Sequence, residues 1–192
     1  RLMKDISILI VGVGGQGTLL TSRILGSVAM ELGYDVKMSE LHGMAQRGGS
    51  VVTYVKMGEK VYSPIIEEQE ADIILAFEEL EALRWNKFLK KDGMMVVNTQ
   101  QIDPMPVIIR KAEYPENITE KLSGAYPQTV LINALEIAKS LGNVKVVNVI
   151  MLGKIAKILD IEEEIFLKAI EASVPPKLLE LNKQAFAAGY NS

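Results

Sequence analysis

A polar segment of twelve residues holds the side chains most suited to chemistry in this sequence. Residues 39–50 run Ser-Glu-Leu-His-Gly-Met-Ala-Gln-Arg-Gly-Gly-Ser and include the only histidine of the chain. Glu40 and His42 are candidate proton-transfer groups, and the Arg47 guanidinium can form paired hydrogen bonds to a phosphate or carboxylate. Glycines in this segment permit backbone conformations that other residues avoid. We predict a binding loop that follows a strand.

A glycine-rich segment earlier in the chain indicates the kind of ligand. Residues 12–17, Gly-Val-Gly-Gly-Gln-Gly, match the G-x-G-x-x-G pattern. The apolar run Ile6–Val11 before them predicts a buried parallel strand, and four-residue apolar spacing after them predicts a helix from Thr18 to about Leu32. Amides at such a helix N-terminus attract anions, so the pattern predicts a phosphate-bearing ligand. The alternative is that these glycines only tighten a strand-to-helix turn.

Each polar candidate also has a less specific interpretation. Glu40 follows Gly17 by 23 residues, where a dinucleotide fold places the acid that binds the adenine ribose, but it could equally be a solvated loop carboxylate. Asp35 is nearer the usual offset, at the wrong end of its strand. His42 is either an acid–base group or a hydrogen-bonding partner of loop backbone. Arg47 binds a ligand, or it pairs with a partner protein or with Glu40.

Composition narrows the class of protein. The 192 residues are 48% hydrophobic, enough for a well-buried domain, and we treat residues 1–192 as a single domain. A formal charge of −3 and a pI near 5.4 argue against nucleic acid, and neither a basic block nor a long apolar run favours a membrane. The chain has no cysteine, which fits a reducing, cytoplasmic location and leaves no ligand for a cysteine-bound iron–sulfur cluster.

Apolar runs alternate with helical periodicity along the rest of the chain. In chain order the predicted elements are a strand over 35–39, a hairpin of 49–57 with 60–63 turning at 58–59, a strand over 71–77, a helix over 78–90, a strand over 94–98, helices from about residue 129 over 131–141, 146–159 and 162–172, and a last helix after Pro175-Pro176. This predicts an α/β fold: a Rossmann-like, doubly wound, mainly parallel sheet with an antiparallel hairpin and a helical C-terminal part.

Glu78, Glu79 and Glu81 begin a predicted helix, where the helix dipole stabilises acids. The alternative role for this cluster is to bind a cation. The sequence contains no metal-binding cluster of histidines and cysteines, and no nucleophile with a base beside it, so we assign no metal site. The chain therefore has a predicted ligand site but no complete set of catalytic groups of its own.

Three segments together resemble a known family. They are the glycine turn with Ser22-Arg23, the segment 39–51, and Phe77-Glu78 with Glu81-Ala82-Leu83-Arg84. They are similar to the beta subunits of indolepyruvate ferredoxin oxidoreductases, within the gamma domains of the 2-oxoacid:ferredoxin oxidoreductases. The likeness covers nearly the whole chain, and Ser-Glu-x-His-Gly-Met-Ala-Gln favours the arylpyruvate members.

The resemblance implies a role in oxidative decarboxylation of aryl 2-oxoacids, with coenzyme A taken up and ferredoxin reduced through the complex. It implies that thiamine diphosphate and the iron–sulfur clusters belong to a large alpha subunit, and that this chain is inactive alone. Gly14, Gly15, Gln16 and Gly17 would contact phosphate of coenzyme A, with Gly12 making the turn. The resemblance assigns Arg47, Glu40 and His42 to the cofactor or the subunit interface.

Two alternatives belong to other classes. A stand-alone NAD(P)- or FAD-dependent oxidoreductase would explain the glycine turn and Glu40, although 192 residues leave little room for a substrate domain. A non-enzymatic nucleotide-sensing module would bind its ligand alone and change its assembly state.

Overall fold

In the computed structural model, which describes residues 5–42 and 48–192 and only the backbone of His42, a six-stranded mixed sheet forms the centre of the fold. The strands are β1 Ile6–Val13, β2 Asp35–His42, β3 Ser50–Gly58, β4 Ala71–Ala76, β5 Leu89–Asn98 and β6 Thr129–Ile132. Their order is β2-β3-β1-β4-β5-β6. β1, β4, β5 and β6 are parallel, and β3 is antiparallel to both of its neighbours.

Helices cover both faces of this sheet. They are α1 Thr18–Glu31, α2 Glu79–Trp85, α3 Met105–Ile108, α4 Ile118–Ala125, α5 Ala134–Ser140, α6 Val147–Leu159, α7 Glu163–Ser173 and α8 Leu179–Tyr190. One core lies under α1 and α5–α8 and includes Ile10, Phe166 and Phe186. The other lies under α2 and α4 and includes Leu9 and Leu122. The predicted doubly wound α/β class is confirmed.

The first strand and helix form where the sequence predicts them. Ile8 to Val11 are fully buried, which explains their continuous apolar pattern. α1 ends just before Gly33, whose φ of +83° lets the chain leave the helix.

The predicted hairpin partner is wrong. β3 pairs with β2, from Asp35 opposite Gly58 to His42 opposite Val51, so the hairpin joins β2 to β3 through residues 43–49. Residues 60–63 form no strand. They follow the end of β3 instead, where the amide of Val61 donates to the Asp35 carboxylate at 2.9 Å. The sequence shows an extended run on each side of Gly58 but not which strand each run joins.

Other element boundaries also differ from the prediction, and the strand predicted over 94–98 begins at Leu89. β2 continues through Glu40 to His42, because its ladder with β3 extends that far, so these residues lie in a strand and not in the loop. The helix predicted over 78–90 ends at Trp85, because buried Leu89 already belongs to β5 and pairs with Ala71. The predicted helical part from residue 129 begins with a strand, β6, which pairs with β5.

α6 and α8 pack with their backbones in close approach. A Cβ added at Gly153 would collide with the carbonyl oxygen of Phe186. The C-terminal helical layer therefore depends on a glycine at this crossing. Over the described ranges 5–42 and 48–192, we find no helix with the length and apolar character needed to span a membrane.

Candidate functional site

The glycine turn joins the end of β1 to the start of α1. Gly15 and Gly17 have φ angles of +100° and +80°, which other residues rarely adopt. Gly17 is the N-cap of α1; no described side chain caps this helix end, and its first turn carries no acid. The helix dipole and the first amides of α1 therefore favour an anion at this end.

The Gln16 side chain holds the turn in shape. Its carboxamide oxygen accepts from the Val13 amide at 2.8 Å, and its nitrogen donates to the Phe77 carbonyl at 2.9 Å. A Cβ at Gly12 would lie 3.0 Å from the same carboxamide oxygen, so the close packing here favours glycine. Gln16 borders the cavity described below, but both ends of its amide already bind the protein.

Gly14 joins the turn to the end of the binding loop. Its amide donates to the carbonyl of Gly49 at 2.8 Å, and the amide of Gly48 donates back to the Gly14 carbonyl at 3.4 Å. The two predicted segments therefore meet directly. Because the Gly14 amide is occupied and the Gln16 amide donates to the Val13 carbonyl at 3.1 Å, a phosphate at this turn would rely on other amides of the turn and of the first turn of α1.

A main cavity of about 560 Å³ opens beside the glycine turn. Its remaining wall is formed by Gly48, Gln100, Ile102, Leu135, Val144, Lys145 and Val147. Lys145 supplies a cation to this wall, and within the described ranges its ammonium forms no ion pair. The cavity thus combines an uncapped helix N-terminus with a lysine and several apolar side chains.

Sequence reasoning missed Lys145. The residue lies in a short 3₁₀ turn immediately before α6, and the chain brings it to the glycine turn from more than a hundred residues away. One signal was present in the sequence. A lysine just before the N-terminus of α6 is disfavoured by the helix dipole, so its position there is not explained by helix stability.

A side cavity of about 410 Å³ lies next to the glycine turn and includes Glu40. Thr18 and Val51 also line it. Glu40 pairs across β2–β3 with Thr53, so a whole strand, β3, separates it from the glycine-bearing strand β1. In the usual dinucleotide fold, the strand that carries the ribose-binding acid is adjacent to the glycine-bearing one. The structure brings Glu40 to the turn by a different sheet order.

Two predicted site residues fall at or beyond the edge of the described chain. The backbone of His42 ends β2 opposite Val51 of β3. Val51 lies near the glycine turn, because it also pairs with Gly12. Arg47 lies outside the described residues, as do the side chain of His42 and residues 43–46. Their predicted ligand contacts stay predictions.

The three acids that begin α2 are buried and hydrogen-bonded. Glu78 caps the helix by accepting from the Glu81 amide at 2.9 Å, and its other oxygen accepts from the Ile102 amide at 3.0 Å and from the Tyr114 hydroxyl. Glu79 accepts from the Gln101 side chain at 2.8 Å. The predicted acidic helix N-terminus is confirmed, and it fastens the segment after β5 that lines the main cavity.

Burial dominates the electrostatics of this cluster. Loss of solvation raises the pKa of the Glu79 carboxyl above its usual value, and it does the same to the pKa of Glu81. Burial and the hydrogen bond to Glu78 raise the pKa of Tyr114 well above that of an ordinary tyrosine, so its hydroxyl stays protonated and donates the hydrogen bond. Among the described residues, no group of three or more His, Cys, Asp or Glu side chains is arranged to hold a metal ion.

The sequence matches the model of one protein family. The family described as pyruvate ferredoxin/flavodoxin oxidoreductase matches residues 7–192. The indolepyruvate oxidoreductase subunit IorB of Thermococcus kodakarensis is 38% identical, and the match covers 97% of this chain and 95% of that one. The subunit of the same name from Archaeoglobus fulgidus is 40% identical, covering 97% of this chain and 94% of that one.

A solved structure confirms the fold. It is a 2-oxoglutarate:ferredoxin oxidoreductase from Magnetococcus marinus, solved with 2-oxoglutarate, coenzyme A and succinyl-CoA bound, with a TM-score of 0.76 and 19% identity. The match covers 98% of this chain but 31% of that longer chain. The fold of the present chain thus occurs there as one part of a larger polypeptide.

Proposed function

Because this chain belongs to the pyruvate ferredoxin/flavodoxin oxidoreductase family, we propose that it is the beta subunit of an indolepyruvate:ferredoxin oxidoreductase. The observation that carries the proposal is its identity of 38% and 40% to two indolepyruvate oxidoreductase subunits over nearly the full length. The complex would decarboxylate an aryl 2-oxoacid oxidatively, transfer the acyl group to coenzyme A and reduce ferredoxin. We expect it to work in the cytoplasm.

Thiamine diphosphate and the iron–sulfur clusters would reside on a large alpha subunit. The given sequence has no cysteine, so it provides no thiolate for a cluster. Ferredoxin would then exchange electrons with the complex through that partner. This chain alone would be inactive.

The chain itself would bind the diphosphate of coenzyme A. The N-terminus of α1 offers amides without a side-chain cap, and around Gly15 there is open space: a Cβ there would have no atom within 4 Å. Lys145 lies on the wall of the same cavity and adds a positive charge. A diphosphate matches these two features, and apolar groups of the cofactor would contact the cavity wall.

An exposed apolar turn supports association with the large subunit. Met105, Ile108 and Ile109, in and beside α3, are 64%, 61% and 51% exposed. They follow closely after Ile102 of the main cavity, so a partner that covers them would also border the site. In the Magnetococcus marinus enzyme the same fold belongs to a longer polypeptide, which is consistent with a chain that works inside a larger assembly.

The two alternatives are not favoured. A stand-alone NAD(P)- or FAD-dependent oxidoreductase predicts an acid on the strand next to β1, whereas β3 occupies that place. A nucleotide sensor does not account for the two indolepyruvate oxidoreductase relatives.

The proposal is tested by anaerobic co-expression of the tagged chain with the large subunit from the same source. We expect a stable complex that contains iron, acid-labile sulfide and thiamine diphosphate, and that reduces a dye only when indolepyruvate and coenzyme A are both present. A chain that purifies alone, without cofactors, and binds NAD, NADP or FAD in a manner lost in Glu40→Ala would contradict it.

A further inference from the structure

Ser50 and Glu81 connect the end of the binding loop to α2. Ser50 begins β3, directly after Gly48-Gly49, and its hydroxyl donates to the Glu81 carboxylate at 2.5 Å. The two residues are 31 positions apart in sequence, so this contact belongs to the folded state. It joins a segment that borders the main cavity to α2, which lies on the sheet face opposite to that of α1.

Glu81 is itself firmly held. Its side chain is buried, its second oxygen accepts from the Arg84 guanidinium at 3.0 Å, and its backbone amide donates to Glu78. A carboxylate with both oxygens engaged and its helix end capped has little freedom to move. It therefore provides a fixed acceptor for the Ser50 hydroxyl.

On the other side, the same short segment binds the glycine turn. The Gly49 carbonyl accepts from the Gly14 amide, and the Gly48 amide donates to the Gly14 carbonyl. Residues 48–50 are thus held between the glycine turn and the Glu81 carboxylate. Gly48 also lines the main cavity, so the position of this segment sets the shape of one cavity wall.

We infer that Glu81, acting through Ser50, is a positioning residue that holds the Gly48–Ser50 wall of the ligand cavity against the glycine turn. Neither Ser50 nor Glu81 lines the main cavity, whereas Gly48 does. The consequence for coenzyme A binding rests on the proposed function, whereas the anchoring itself does not.

Anchoring is measured on the full chain by limited trypsin digestion, following cleavage after Arg47 by mass spectrometry. Removing a charge-assisted hydrogen bond should increase local opening, so Ser50→Ala and Glu81→Gln should each speed this cleavage by about tenfold. Ser50→Thr keeps the hydroxyl and should restore the original rate. Glu79→Gln, a buried acid in the same helical turn that contacts Gln101 instead, is the matched control and should leave the rate unchanged.

The double variant Ser50→Ala/Glu81→Gln separates anchoring from general destabilisation. If the two residues act through one contact, the double variant should cleave no faster than the faster single variant. Multiplied effects, or unchanged cleavage in Ser50→Ala, would overturn the inference. Increased cleavage in Glu79→Gln to the same extent would also overturn it, because the effect would then be unspecific.

In the assembled enzyme, Ser50→Ala should raise the KM for coenzyme A about fivefold to tenfold and leave kcat at saturating coenzyme A within about twofold. Ser50→Thr should return the KM to its original value. Faster cleavage after Arg47 with an unchanged KM would contradict the coenzyme A site of the proposed function and leave the anchor itself supported.

Discussion

Replacing Gly17 with alanine tests the geometry of the glycine turn. Gly17 has a φ of +80°, and a Cβ there would lie 2.5 Å from the side-chain nitrogen of Asn148, at the start of α6. That nitrogen also donates to the Gly17 carbonyl at 3.4 Å. The substitution should therefore strain the backbone and displace a buried amide at the same time.

The two costs can be estimated separately. A left-handed conformation costs an alanine about 1–2 kcal/mol. Displacing Asn148 sacrifices a weak hydrogen bond and some packing, worth about 0.5–1.5 kcal/mol. Gly17→Ala should therefore lower the free energy of unfolding by about 1.5–3.5 kcal/mol in urea titrations at constant m value. Gly15→Ala also has a positive φ but meets no atom within 4 Å, so it should pay only the backbone strain, about 1–2 kcal/mol.

Asn148→Ala provides the control for the contact. In that background the obstructing amide is absent, so Gly17→Ala should cost about as much as Gly15→Ala does in the native chain. The reasoning would be refuted if Gly17→Ala were no more destabilising than Gly15→Ala, or if removing the Asn148 amide recovered none of the difference.

Three further predictions follow from other contacts. Gly153→Ala forces α6 away from the Phe186 carbonyl and should cost about 3 kcal/mol or more in urea unfolding; a loss under about 1 kcal/mol would argue against the close helix crossing. Burial raises the folded-state pKa of Glu79, so its contribution to stability is present below the ordinary glutamate pKa of about 4.3 and is lost as pH rises through the raised value. Glu79→Gln should therefore flatten this fall in the free energy of unfolding. An unchanged pH profile would contradict the assignment. Lys145→Met should raise the KM for coenzyme A several-fold in the assembled enzyme, most strongly at low salt. The control Lys139→Met breaks a surface ion pair with Glu136 and should leave this KM unchanged. Equal effects of the two variants would show that Lys145 does not belong to the site.

The parallel half of the fold was predictable because its signals are local. An apolar strand, a glycine turn and an amphipathic helix stand next to each other in residues 6–32, and each specifies its own conformation. The position of β3 was not predictable in this way. Its insertion between β1 and β2 depends on pairing between distant segments, and the mainly apolar, buried run of residues 50–58 fits several partners.

The candidate site divides along the same line. The glycine turn, Glu40 and Gly48 were found from residue types, and the structure brings them to neighbouring cavities. Lys145 and Glu81 contribute through contacts across the fold, and a single sequence gives no spacing rule that links them to the turn. In the helix predicted over 78–90, a local pattern was misleading instead. Leu89 continues a helical spacing in the sequence although it belongs to β5.

The most direct test of the proposed function is a reconstitution of the large subunit with and without this chain. Anaerobic electron transfer to ferredoxin would be followed with indolepyruvate, pyruvate and 2-oxoglutarate as substrates. We predict that activity requires both subunits and coenzyme A, and that kcat/KM is highest for indolepyruvate. Full activity of the large subunit alone, or a clear preference for pyruvate or 2-oxoglutarate, would contradict the account.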